Sequence, residues 1–403
     1  MKKFRSSISL LAAAGVTVGA VAFILVHANQ VTNLDSHHTP HIMQTTSSIS
    51  HVSAATVSNY TKPTSSANNN LVKPIIGINP LPVKGKPIPF SQLKTKYNLL
   101  TIPTYDGSGQ LTHPKVLYFQ NGWNGYRYWM SMTPYPHTVD RYENPSIVVS
   151  NDGLNWFVPR GLKNPITGLP KDVKFGGHYS DPHLVMKGNT MELWYRHNPG
   201  NPKTKRAINS INTYYKMVST DGIHWSAPQE LFTARDGHLS MAINYENGMY
   251  KAWYATYSGN LCYQESYDSF HWSQPIVASV PLPAGYCPYH QDMIKVGSQY
   301  CLLQCAEKRS DYTFAEFFAT SEDGIHFLNT KQIYPTSNTV IWKDISFYRS
   351  SMFVKDDKIE MYLTLWFKNS GRNWYLTHQS FPIKDLMAPA KDKIISNQKT
   401  KAA

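Results

Sequence analysis

The chain has 403 residues, 41% hydrophobic and 13% aromatic, with 16% charged, which is enough apolar material for a large core and a composition that favours strands. Its formal charge of +13 is spread along the sequence. No Arg-rich helix, RNA-binding motif or zinc spacing accompanies that charge, which argues against nucleic acid as a partner and leaves a basic soluble surface or one suited to an anionic polymer.

The first element is a targeting segment. Lys2, Lys3 and Arg5 form a positive start, Ser7 to Val26 is almost uninterrupted apolar sequence, and Val26-His27-Ala28 suits a cleavage site. Residues 1–28 therefore read as a signal peptide or a retained membrane anchor, and the rest as secreted or anchored facing outside. Residues 29–73 are rich in Ser, Thr, Asn and His and cannot bury enough surface to offset their ordering entropy, so they read as a disordered linker. His37, His38, His41 and His51 in that tail are read as incidental rather than as metal ligands. Pro74 to Tyr97 reads as an entry segment along the outside of the domain.

From Leu111 onward one phrase recurs four times: Ser150-Asn151-Asp152-Gly153-Leu154-Asn155-Trp156, Ser219 to Trp225, Ser266 to Trp272, and Ser321 to Phe327. Each is a version of S-x-D-G-x-x-W, with Ser269 replacing the Gly once and Phe327 the Trp once. Asp-Gly after a β-rich run signals a tight turn, because Gly accepts positive φ and Asp bonds back to nearby backbone. Around each turn lie a first strand, a hairpin, an aromatic second strand and a third strand. First strands open at His113-Pro114-Lys115, Asp181-Pro182-His183, Leu239, His290-Gln291-Asp292 and Asp344-Ile345-Ser346. Five such units predict an all-β five-bladed propeller over 74–388, followed by a Lys-rich tail at 389–403. The box acids Asp152, Asp221, Asp268 and Asp323 are turn residues in this reading. Of the four cysteines, Cys262 and Cys287 are the expected bridge, with free buried thiols as the alternative.

An Asp-Pro opening a blade, a Y-x-W-Y second strand and the closing box together resemble the five-bladed furanosidase superfamily, the arabinanase/xylosidase-type and invertase/levansucrase-type glycoside hydrolases. The resemblance covers roughly 110–380 and marks the chain as a divergent member. It implies three channel carboxylates, a base or nucleophile in blade one, a pKa-tuning Asp in blade two and an acid Glu in blade three. Ser180-Asp181-Pro182-His183 matches the second of these. Blade one has His113 where Asp is expected, and blade three opens Leu239-Ser240-Met241-Ala242 with no Glu.

Strand direction gathers other acids at the same end. Asp181, Asp292, Asp344 and Glu143 are the candidate catalytic residues, since glycoside chemistry needs one carboxyl to donate a proton and another to activate water or attack. His113, His290, Arg141 and Arg196, with Tyr179, Trp342 and Trp366 to stack on sugar rings, are the candidate substrate-binding residues. No cofactor is implied: acids and histidines converge there, but no metal-ligand spacing marks them. The expected activity is that of a glycoside hydrolase-like protein acting on a carbohydrate or cell-wall glycan, as a monomer that meets membrane only through its N-terminal segment. The alternative is a propeller that binds glycan or wall polymer without turnover.

Overall fold

Aromatic and β-branched residues alternating with small polar ones build five antiparallel sheets in the computed structural model, which describes residues 88–208, 210–235, 237–335 and 345–388. The expected export segment, the linker, the tail, Trp342 and Asp344 lie outside the described residues. Blade one is β1 (Leu111–Trp123), β2 (Tyr126–Pro134) and β3 (Ser146–Ser150). Blade two is β4 (His178–Lys187), β5 (Thr190–Asn198), β6 (Asn212–Ser219) and β7 (Gln229–Ala234). Blade three is β8 (Leu239–Glu246), β9 (Met249–Ala255), β10 (Leu261–Ser266) and β11 (Ile276–Ala278). Blade four is β12 (Tyr286–Val296), β13 (Gln299–Lys308), β14 (Thr313–Ser321) and β15 (Leu328–Tyr334). Blade five is β16 (Ser346–Lys355), β17 (Lys358–Phe367) and β18 (Asn373–Pro382). Each sheet runs in sequence order from its inner strand outward, as a propeller requires.

Strand alternation gives every blade two apolar faces, and the larger buried clusters lie between neighbouring blades. Trp129, Ile147 and Val149 of blade one meet Leu184, Leu193 and Tyr195 of blade two. The ring closes where Val116, Tyr128 and Met130 meet Phe353, Tyr362 and Leu376 of blade five. A strap completes this closure: Leu99 bridges Thr377, and the Leu100 amide donates to the Leu376 carbonyl at 2.8 Å. The entry segment ends in a helix that the sequence analysis does not anticipate, α1 (Phe90–Tyr97), which buries Leu93 and Tyr97 against the blade four/blade five core. Phe90, Leu93 and Tyr97 recur at helical spacing and supply its apolar side.

The boxes are turns that tie blades together. In the first, Asp152 Oδ1 accepts the amides of Leu154 and Asn155 at 2.8 and 2.7 Å, and Ser150 Oγ accepts that of Gly153 at 2.9 Å. Although partial burial acts to raise it, these donors hold the Asp152 carboxyl at about 2. The turn carbonyls reach across the ring: Tyr362 Oη donates to Gly153 O at 2.7 Å and Trp253 Nε1 to Gly324 O at 2.7 Å.

The expected Cys262–Cys287 bridge is absent, because Cys287 is a free thiol, as are Cys301 and Cys305. The period of two explains it. Cys262 faces the core shared with blade two, whereas Leu261 and Tyr263 face blade four, where Cys287 lies.

Candidate functional site

Every inner strand carries a register shift near its start: between Thr112 and Lys115, Ser180 and His183, Leu239 and Ala242, Pro288 and His290, and Tyr348 and Ser351. Such bulges re-aim side chains beside functional sites. In three blades the bulge forces a non-glycine residue into the left-handed region: His113 at φ 56°, Asp181 at φ 52° and Ser240 at φ 48°. Strain of this kind costs free energy and persists only where the surroundings hold it, which marks these positions for a functional role.

The bulges aim His113, Asp181 and His290 at one point on the propeller axis, with one ligand atom of each lying within 4.8 Å of the others. All three residues are buried. His113 Nε2 lies 3.0 Å from Asp181 Oδ1, but the approach is not directed as a hydrogen bond, and both atoms, with His290 Nε2, are left unsatisfied. The opposite nitrogens are held: His113 Nδ1 contacts Thr133 Oγ1 at 3.0 Å, and His290 Nδ1 makes a short hydrogen bond with Ser240 Oγ. Holding Nδ1 in this way turns both Nε2 atoms towards the shared point, and where the hydroxyls accept from Nδ1–H, Nε2 keeps the lone pair with which imidazole ligates metal. Burial pushes His113 down to about 3 and His290 well below its usual value, so both rings stay neutral near pH 7.

Asp181 is held from the other side. Its Oδ2 is paired with Arg196 Nε at 2.5 Å and accepts the Ser240 amide at 3.3 Å, and Arg349 Nη1 lies 3.8 Å from Oδ1. Burial acts to raise its pKa, but the charge of Arg196, with that of Arg349, holds it well below the carboxylate range. Glu143, in the β2–β3 loop, places Oε2 at 3.4 Å from His113 Nδ1. Burial, then the charges of Asp140 and Asp181, push it well above its usual value. One point on the axis thus joins two neutral imidazoles, an ionised carboxylate and a carboxyl whose pKa is raised by burial. Three unsatisfied buried atoms converging within 4.8 Å fit a divalent cation bound by two histidines and one carboxylate.

The remaining expected residues are dispersed. Asp292 sits one layer deeper, two residues beyond His290, bound by Lys115 Nζ at 2.7 Å and the Met352 amide at 2.9 Å. Arg141 stacks on Tyr142 at 5.1 Å. Tyr179 packs edge-on against Tyr195 at 5.2 Å, within blade two. Trp366 lies flat on Trp374, 4.9 Å away. Sequence reasoning missed Thr133, Ser240, Arg349 and Tyr348, whose ring lies 4.3 Å from that of His290. Ser240 and Arg349 occupy in blades three and five the bulge positions that His113 and Asp181 occupy in blades one and two, so superposing the inner-strand starts would have found them.

No family model matches the chain. Among curated proteins it is 27% identical over 296 residues to an A type blood N-acetyl-alpha-D-galactosamine deacetylase of Flavonifractor plautii, a match covering 60% of this chain and 38% of that relative's length. Its structure is similar to that of an N-acetylgalactosamine deacetylase from F. plautii solved with blood group B trisaccharide, with a TM-score of 0.62 and 21% identity over 72% of this chain and 96% of that one. A GH43 protein from Bacillus licheniformis matches with a TM-score of 0.50 and 14% identity over 70% of this chain and 56% of that one. The fold is therefore a five-bladed propeller shared with these solved structures, and the proteins it resembles are carbohydrate-active.

Proposed function

We propose that the protein is an exported, metal-assisted hydrolase that removes the acetyl group from an N-acetylated amino sugar within a glycan. The observation that carries this reading is the set of unsatisfied atoms His113 Nε2, Asp181 Oδ1 and His290 Nε2, buried and aimed at one point. A divalent cation held there would act as a Lewis acid towards an acyl carbonyl. Thr133 and Ser240 keep both imidazoles in the ligating tautomer. Asp181 supplies the negative charge that retains a cation, and Arg196 fixes its orientation. Water would add to the acyl carbon as the C–N bond breaks, and Glu143, in reach of His113, would give its carboxyl proton to the departing amine and recover one from that water, leaving acetate. Arg349 turns unpartnered guanidinium nitrogens into the same buried site and can hold an oxyanion as it develops. The similarity to a deacetylase supports the same chemistry.

The test is metal analysis and acetate release on one preparation. We expect about one equivalent of divalent metal, acetate release from N-acetylhexosaminides that stops on chelation and returns with metal, and loss of both metal and turnover in Asp181→Asn, by at least about a hundredfold. Acetate release that persists in metal-free protein, or in Asp181→Asn, would overturn the reading.

A second reading is favoured by one observation: two carboxyls beside His113 have pKa values displaced in opposite directions, Glu143 upward and Asp181 downward, as an acid and base pair of a glycosidase would have. Reducing-sugar release without acetate from the same glycans would establish it. Binding of those glycans with neither product would leave an inactive carbohydrate-binding propeller.

A further inference from the structure

On the face that carries the site, an aromatic wall runs outward from His290. Tyr348 packs on His290 at 4.3 Å, Phe314 on Tyr348 at 5.6 Å and Tyr312 on Phe314 at 5.3 Å. A second row runs from Tyr348 through Trp374 at 5.0 Å to Trp366 at 4.9 Å. The two rows meet around one cation. Lys368 Nζ lies 4.8 Å from the Trp366 ring centre, 5.7 Å from that of Tyr312 and 5.9 Å from that of Phe314. It donates a short hydrogen bond to the Tyr312 carbonyl and, among the described residues, belongs to no ion pair. Burial pushes the Lys368 ammonium down and the charge of Asp311 acts against it, but Asp311 itself is engaged with Lys308 at 3.6 Å and accepts from Thr313. Beside it, Trp366 Nε1 is buried and without a partner.

Aromatic faces attract a cation but do not neutralise it, and a half-buried ammonium stripped of part of its water favours a counter-ion. Lys368 is three ring contacts from His290, along a wall whose inner rings, Phe314 and Trp374, are buried and whose outer rings, Tyr312 and Trp366, reach the surface beside Lys368 and are the ones a sugar can stack on. We propose that Lys368 reads an anionic substituent, a carboxylate or sulfate, on a sugar next to the one held at the axis. The substrate class is then an acidic oligosaccharide containing N-acetylated amino sugars. This deepens the deacetylase reading and rests on it for the identity of the sugar at the axis, but the anion subsite is a binding claim with its own readout.

That readout is calorimetric binding to the full chain of three tetrasaccharides: unsulfated chondroitin, its 4-sulfated form, and neutral chitotetraose. We expect tighter binding of an acidic glycan, and Lys368→Met to weaken that glycan about tenfold while leaving chitotetraose unchanged, with Lys368→Arg retaining the preference. Preference for the unsulfated acidic form identifies a carboxylate as the partner, and a requirement for the 4-sulfate identifies sulfate. Equal binding of acidic and neutral glycans, or a Lys368→Met loss that is the same for all three, would overturn the proposal. Acetate release, measured separately, reports on the axial reading: a Lys368-dependent acidic preference without acetate release retains the subsite and removes the deacetylase.

Discussion

Asp152 lies in the repeated box that closes a blade and Asp181 in the bulge that opens one; both are ionised, and they do opposite jobs. Asp152 sits in a box turn where its carboxylate is answered by amides two and three residues away, with Asn155 Nδ2 at 2.7 Å completing the set. Asp181 sits buried in an inner-strand bulge and is answered by Arg196 on the neighbouring strand, Ser240 from blade three and Arg349 from blade five, with one oxygen still unsatisfied. The first is a closed local account, and it shapes the backbone. The second stays open at one atom, and chemistry needs an open atom. An acid in this propeller is thus structural when its partners are local, and a site candidate when they come from other blades and leave one oxygen open.

The sharpest way to break this contrast is Asp181→Ala. It leaves Arg196 and Arg349 buried without their shared partner, and removing one member of a buried charge network costs about 3–5 kcal/mol. Chemical denaturation should show a loss of that size, on top of the loss of metal. A variant as stable as the parent would mean that the arginines are solvated in solution and that the cluster is not the closed network described.

Next in size is a change in a box. Gly222 has φ +75°, and a Cβ added there would meet the Trp129 ring at 2.2 Å. Gly222→Ala combines backbone strain with overpacking between blades one and two, and should lower stability by about 1–3 kcal/mol without changing ligand binding at the axis. If Gly222→Ala instead altered metal content or glycan binding, the box would be more than a turn, and the division drawn between the two aspartates would fail.

The same division decides what could be read from the sequence. Blade boundaries are legible because a box is a short-range object: Asp, Gly and aromatic at fixed offsets produce the same turn wherever they occur, and the inner strand of the next blade follows. Asp181 is legible through its Asp-Pro match, and Glu143 through its place in the loop after a second strand. The convergence itself is not legible. That Ser240 orients His290 depends on strands of different blades being brought to one axis, and no short window of sequence contains both partners; Thr133 and His113 share a hairpin, but the bulge that turns one towards the other is not written in either strand. Helix α1 was hidden for a different reason. Its stretch is rich in Lys and Pro, its N-cap position is Pro89 with no side-chain cap, and its burial against blade five does what local propensity does not.

The smallest expected effect tests whether an acid can be buried here without belonging to the site. Glu316 on β14 is fully enclosed; Ser350 Oγ donates to its Oε1 at 2.6 Å, while Oε2 has no partner. Burial pushes it up to about 8, the Ser350 hydrogen bond acting against the shift. The folded state therefore holds this proton at pH values where the unfolded chain, with an ordinary glutamate, has released it. Because the folded state binds more protons across that window, stability falls as pH rises from the usual glutamate value towards about 8, and the contribution is fully present below the window. Glu316→Gln keeps the shape and the contact to Ser350 while removing the proton, so its stability should be flatter over the same range in denaturant titrations at a series of pH values. An unchanged slope would place the Glu316 carboxyl in contact with water. A change in acetate release would join Glu316 to the axial chemistry, from which its separate hydrogen-bond partner now divides it.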